Sequence, residues 1–257
     1  MKTFLLICCI ATVLPEICPA DEAVKEKLER IQKEGTENGK RRLVAIREDL
    51  AALERGADDE LLLKLGRHLY FLSSNDYRIR ELQQEAAPLR TKVRDALLRT
   101  PGHAEAQERH FLALRSDVLE RHKAFNYLYL AGVDLYRILP LLPSPETVRV
   151  LGRMLEDTKG ATAETRFPNQ PIDVINVPMS AAEHAVIALH YLPLQQPPVP
   201  RNKVVEVEVI AGGLQHHPAW IDWWHDVRDR GRTYRFEGSP VTYNHDGVVK
   251  SPEKSSK

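Results

Sequence analysis

The chain has 257 residues, 36 Lys+Arg balanced by 36 Asp+Glu, and is 43% hydrophobic and 28% charged. A formal charge of zero excludes the basic excess that drives sequence-independent nucleic-acid binding. The apolar content excludes a wholly disordered chain, and the length allows one substantial hydrophobic core or two small ones.

At the start, Met1-Lys2-Thr3 precedes an apolar run from Phe4 to Leu14, and Cys18-Pro19-Ala20 places small residues before Asp21. A basic start, a short apolar stretch and a small-residue cut predict a signal peptide over residues 1–20 and an exported protein, periplasmic or extracellular. The apolar run is too short for a membrane span, which needs about 20 residues. Cys8, Cys9 and Cys18 all lie in this leader, so the expected mature chain has no thiol, disulfide or Cys-ligated metal.

From Asp21 to Leu139 there are two prolines, Pro88 and Pro101; from Pro140 onward there are thirteen. Proline breaks helices, so residues 21–143 read as an amphipathic helical region and the remainder as shorter elements and loops. Val24, Leu28 and Ile31 predict a first helix, interrupted at Gly35 and Gly39. Leu43, Ile46, Leu50 and Leu53 predict a second one, stopped by Gly56. Asp58 or Asp59 caps the next helix, with Leu61, Leu65, Leu69 and Leu72 along one face. A further stripe runs from Ile79 and Leu82 through Ala86, Leu89, Val93 and Leu97, where Pro88 predicts a kink or break. Thr100-Pro101 opens a helix carrying Phe111, Leu114, Val118 and Leu119. The densest apolar stretch, Ala124–Leu142, is the expected buried centre, its three tyrosines packed in the core.

Ser144-Pro145-Glu146 combines a capping Ser, a Pro at the first helical position and an acid in the first turn. Val148, Leu151 and Leu155 follow at helical spacing. After a polar insertion, Ser180 and Glu183 have capping-box spacing and open a helix with Ala185, Ala188, Leu189 and Leu192. Pro145, Val148, Leu151, Leu155 and Asp157, answered by Ala185, Ala188-Leu189 and Leu192, resemble the two helices of a HEAT-type repeat. The match is one clear pair within residues 144–200, and it has a long insertion, Thr158–Met179, where such repeats turn tightly. The resemblance implies stacked antiparallel helix pairs and partner binding, and it supplies no catalytic residue.

Residues 201–247 read as a small α+β block. Val205, Val207 and Val209 alternate with Glu206 and Glu208, predicting a strand. Pro218–Val227 predicts a short helix with Trp220, Trp224 and Val227 on one stripe. Two more alternating stretches, Thr233–Phe236 and Val241–Tyr243, follow, and residues 248–257 have the composition of a disordered tail. As a whole the block resembles the C-terminal ends of secreted bacterial proteins of unknown activity.

Trp220, Trp223 and Trp224 fall within five positions, and two roles compete for them. They form an exposed platform for a sugar ring or a partner, or Trp220 and Trp224 anchor the block to the helical body with Trp223 at its edge; helical spacing favours anchoring. His217, Asp222 and His225 could supply a divalent metal site, but they meet no recognised ligand spacing. There is no His-Glu-x-x-His, no Gly-x-Ser-x-Gly elbow and no glycine-rich phosphate loop. The resulting expectation is a mainly α protein of HEAT-like helix pairs with a small C-terminal α+β cap and disordered tail. It acts as an exported, non-catalytic binding or scaffolding module whose partner is another protein, with no nucleic acid, no membrane span and no cofactor. The second reading is a hydrolase-like or metal-dependent enzyme whose acidic residues no motif reveals.

Overall fold

The structure, a computed structural model, describes residues 19–74, 82–121, 135–159, 180–201 and 216–249. These are mainly helical, with a small antiparallel sheet near the C-terminus. The leader up to residue 18, Ile79, the stretch 122–134, most of the polar insertion, the strand expected at 205–209 and the tail from residue 250 lie outside the described residues.

Helix α1 spans Pro19–Leu53 without a break. The interruption expected at Gly35 and Gly39 does not occur. Each glycine costs about 1 kcal/mol in a helix interior, and the burial of Leu43 and Ile46 against α2 exceeds that. Asp58 caps α2 (Asp59–Ser73), its carboxylate accepting the Leu61 N–H at 2.8 Å. Helix α3 (Gln83–Arg99) also runs through its proline. Pro88 lies in the second turn, where it removes one backbone bond, and the buried Ala86, Leu89, Val93 and Leu97 hold the helix on both sides of it.

Helix α4 (His103–Arg121) follows a short turn. A helical segment over 135–138 leads into a 3-10 turn, Leu139–Leu141, and then into α5 (Pro145–Leu155) and α6 (Ala181–Tyr191). Both expected caps form. Ser144 accepts the Thr147 N–H, and Ser180 and Glu183 make a complete capping box. Helices α5 and α6 pack on one another, as the paired apolar stripes predict.

Helix α7 (His217–Asp229) ends at Gly231, whose φ of +68° permits the left-handed turn that returns the Arg232 N–H to the Asp226 carbonyl. Strands β1 (Tyr234–Arg235), β2 (Thr242–Asn244) and β3 (Gly247–Val248) form an antiparallel meander in that order. Val248, expected in the tail, belongs to β3, where Val249 donates to the Thr242 carbonyl at 2.8 Å.

Among the described residues, two hydrophobic clusters make up the interior. One joins α1, α2 and α3 through Leu43, Ile46, Leu65, Leu69, Val93 and Leu97. The other joins α4–α7 and the sheet through Phe111, Leu151, Leu189, Trp220, Trp224 and Phe236. The 135–142 segment ties them together by helical period. Leu135 and Leu139 face the second cluster, while Ile138 and Leu142 face the first.

Candidate binding cleft

Where α2, the 135–141 segment and α6 meet, a cleft of about 390 Å³ opens. Each element contributes residues one turn apart. Tyr70 and Ser73 come from the flank of α2, Tyr136 and Pro140 with Arg137 and Leu141 from the middle segment, and Ile187 and Tyr191 from α6. Helix α2 is amphipathic, with Leu65, Leu69 and Leu72 committed to the core. Helix α6 is buried on nearly every side, Ile187 included, and reaches the opening mainly through its last residue, Tyr191. Tyr191 stays 39% exposed.

Arg137 sits over two of the three tyrosines of the cleft, Tyr70 and Tyr136. Its Cζ is 5.4 Å from the Tyr70 ring centroid and 5.9 Å from that of Tyr136, within cation–π range. Among the described residues no carboxylate pairs with it. The cleft therefore has an apolar and aromatic lining around one exposed guanidinium that no carboxylate pairs with among the described residues. Tyr136, expected in a packed core, is half-buried and lines this opening. No spacing along the chain marks the cleft, because its residues follow the ordinary pattern within each helix and converge only across three elements.

Behind it lies His184, buried on α6 with its ring 4.8 Å from Phe111 and 6.3 Å from Tyr136. Its Nδ1–H donates to the Ser180 carbonyl at 3.0 Å. Burial pushes its pKa down to about 4, assisted by the nearby Arg115 charge, so the ring is neutral at pH 7. Arg115, itself buried, is held by Asp157 and the Lys159 carbonyl.

The sites expected from sequence are placed otherwise. Trp220, Trp223 and Trp224 are 0%, 2% and 1% exposed, so they form no open platform; all three, Trp223 included, are interior anchors. Trp220 and Trp223 meet edge-on at 5.7 Å, and Trp223 meets Tyr234 at 5.9 Å. His217, Asp222 and His225 do not converge. His217 Nε2–H donates to the Leu155 carbonyl at 2.7 Å, and among the described residues no three His, Cys, Asp or Glu side chains could hold a metal ion.

One constellation imitates a nucleophilic triad. His103 Nε2 lies 3.2 Å from Ser144 Oγ, and its Nδ1 lies 3.4 Å from Glu146 Oε2. Its surroundings assign it a structural role. The Glu146 carboxylate accepts the N–H groups of Gly102, Ala104 and Glu105 at 3.0, 2.7 and 3.3 Å, satisfying the open N-terminus of α4. Ser144 Oγ accepts the Thr147 N–H as the cap of α5. His103 and Ser144 are both buried, which leaves the hydroxyl no path to a substrate. The Ser144 cap is legible in local spacing, whereas the link from Glu146 to α4, more than forty residues away, is not.

Comparison with family models, with curated proteins and with solved structures finds no match. Among the described residues no helix is long and apolar enough to cross a membrane.

Proposed function

We propose that the protein is a non-catalytic binding module that takes a segment of a partner protein into the cleft between α2, the 135–141 segment and α6. The exported location and the HEAT-like character of the α5–α6 pair, read from the sequence, belong to the same proposal. The observation that carries it is Arg137, exposed and without a carboxylate partner among the described residues, flanked by Tyr70 and Tyr136. Tyrosine and arginine supply much of the energy at protein interfaces, because each pairs a large apolar area with a fixed polar group. The matching segment presents an aromatic or aliphatic side chain to Tyr191, Ile187 and Leu141 and a neighbouring carboxylate to Arg137.

A random peptide library panned on the full chain tests this. Selected sequences are expected to pair an aromatic or large aliphatic residue with Asp or Glu. Their affinity in solution is expected to fall about tenfold or more in Arg137→Glu and in Tyr191→Ala, with the helical circular dichroism unchanged. Selected peptides without an acidic preference, or with affinity indifferent to both substitutions, would overturn the reading.

A further inference from the structure

A second cavity, of about 330 Å³, lies in the C-terminal block where the chain leaving α6 crosses β1. The crossing chain acts as a further strand. Leu194 bridges Phe236, Gln195 N–H donates to the Arg235 carbonyl at 2.9 Å, and Glu237 N–H donates to the Pro193 carbonyl at 2.7 Å. Because side chains alternate across a sheet, the buried Leu194, Tyr234 and Phe236 share the inner face. Gln195, Thr233 and Arg235 are thereby turned to the other face, together with Thr242, the cross-strand partner of Arg235. The result is a row of polar side chains, Gln195–Arg235–Thr242, across three adjacent segments. The buried Leu194 and Trp223 also border the cavity.

Charge and hydrogen-bonding capacity narrow what fits. The lining contains two arginines and no carboxylate. Arg232 is held by Asp226 at 3.3 Å. Arg235 donates its Nε–H to Thr242 Oγ1 at 2.7 Å, which orients the guanidinium, and no carboxylate pairs with it among the described residues. Among the described residues the Arg235 charge is thus unpaired, and a planar guanidinium suits a carboxylate. Gln195 and Gln196 offer amide carbonyls as well as N–H donors, and Thr233 and Thr242 offer hydroxyls. Amide carbonyls need donors from the ligand; hydroxyl groups supply them, whereas sulfate does not. The volume is near the lower end of the range for small-molecule sites, roughly 300–1,000 Å³.

We propose that this cavity binds a carboxylated sugar of monosaccharide size, its carboxylate on Arg235 and its hydroxyls on Gln195, Gln196 and Thr233. The site is separate from the cleft and does not rest on that reading.

The test is a heteronuclear NMR titration of the full chain with D-glucuronate, D-glucose and sulfate, following the three tryptophan indole signals and the arginine side chains. D-glucuronate is expected to give saturable shifts that include the Trp223 indole. Binding is expected to be about tenfold weaker for D-glucose and for sulfate, and about tenfold weaker in Arg235→Ala. Gln196→Ala, at an exposed position outside the strands, is expected to weaken D-glucuronate binding as well. Absence of saturable shifts would overturn the proposal. So would sulfate or D-glucose binding as tightly as D-glucuronate, or undiminished binding in both variants.

Discussion

Gly152 on α5 lies directly beneath the indole of Trp224 on α7; a Cβ at Gly152 would fall 2.2 Å from Trp224 Cδ2 and 2.3 Å from Cε3. One turn further along each helix, Glu156 and Arg228 pair, and Trp224 Nε1–H also donates to Glu156 at 3.2 Å. Gly152 and the C-cap residue of α5, Glu156, four apart, thus meet two residues four apart on α7. The absent side chain lets the helices approach with a ring between them.

This contact predicts that Gly152→Ala destabilises the fold by about 1–3 kcal/mol or more, since neither the backbone nor the packed ring can give way. Trp224→Leu should itself destabilise, yet the double variant should cost less than the sum, with a coupling above about 0.5 kcal/mol. Urea denaturation of the four proteins measures this, and strict additivity would refute the contact.

The protein's three tryptophans are all buried, so they should behave as one shielded population. Native fluorescence should be blue-shifted and poorly quenched by acrylamide, and unfolding should abolish both properties. Trp220→Ala should cost about 3–5 kcal/mol. Strong native quenching would contradict the packing of α7 on α5 and α6.

Histidine burial predicts an acid-sensitive fold. Burial lowers the pKa of His184 to about 4 and also lowers those of His190 and His68, in the last case against the pull of Asp49. A histidine whose folded pKa lies below 6.5 takes its proton more readily in the unfolded chain. Stability is therefore full above about pH 6.5 and is lost as the pH falls toward 4, by up to roughly 3 kcal/mol from His184 alone. Denaturation midpoints between about pH 7 and pH 4.5 should fall, and fall less steeply in His184→Asn, whose amide keeps a donor for the Ser180 carbonyl. An unchanged slope would show that His184 does not titrate this way.

The His103–Ser144–Glu146 set predicts a loss of stability and no loss of chemistry. Glu146→Ala should cost about 1–2 kcal/mol by leaving the N-terminal N–H groups of α4 unsatisfied, with faster amide exchange at Ala104 and Glu105. A fluorophosphonate probe should leave Ser144 unlabelled, because its hydroxyl is buried. Labelling at Ser144 that depends on His103 would restore an enzymatic reading.

Much of the local structure was legible before any coordinate. Capping by Asp58, Ser144 and Ser180, and the stripes on α2, α3, α5 and α7, depend on neighbours within one or two turns, which sequence spacing reports directly. Where spacing misled, at Gly35 and Gly39, a local penalty of about 2 kcal/mol was outweighed by burial from other elements; at Pro88 the helix continues without the break that was one of the two expected outcomes. The strand β3 escaped notice because two residues carry no periodicity; only pairing with Thr242–Asn244 defines it.

The candidate sites divide along the same line. By itself the sequence determined that the body is helical, that α7 carries a tryptophan stripe suited to anchoring, and that no familiar catalytic or metal-binding motif is present. Only the tertiary structure decided that Trp223 is interior, that Glu146 caps α4, that Tyr70, Arg137 and Tyr191 share a cleft, and that Gln195, Arg235 and Thr242 form one row. The reason is physical. Helix and cap formation are short-range and leave a period in the chain, whereas a cleft is made where three packed elements fail to fill space, and no residue encodes that gap alone.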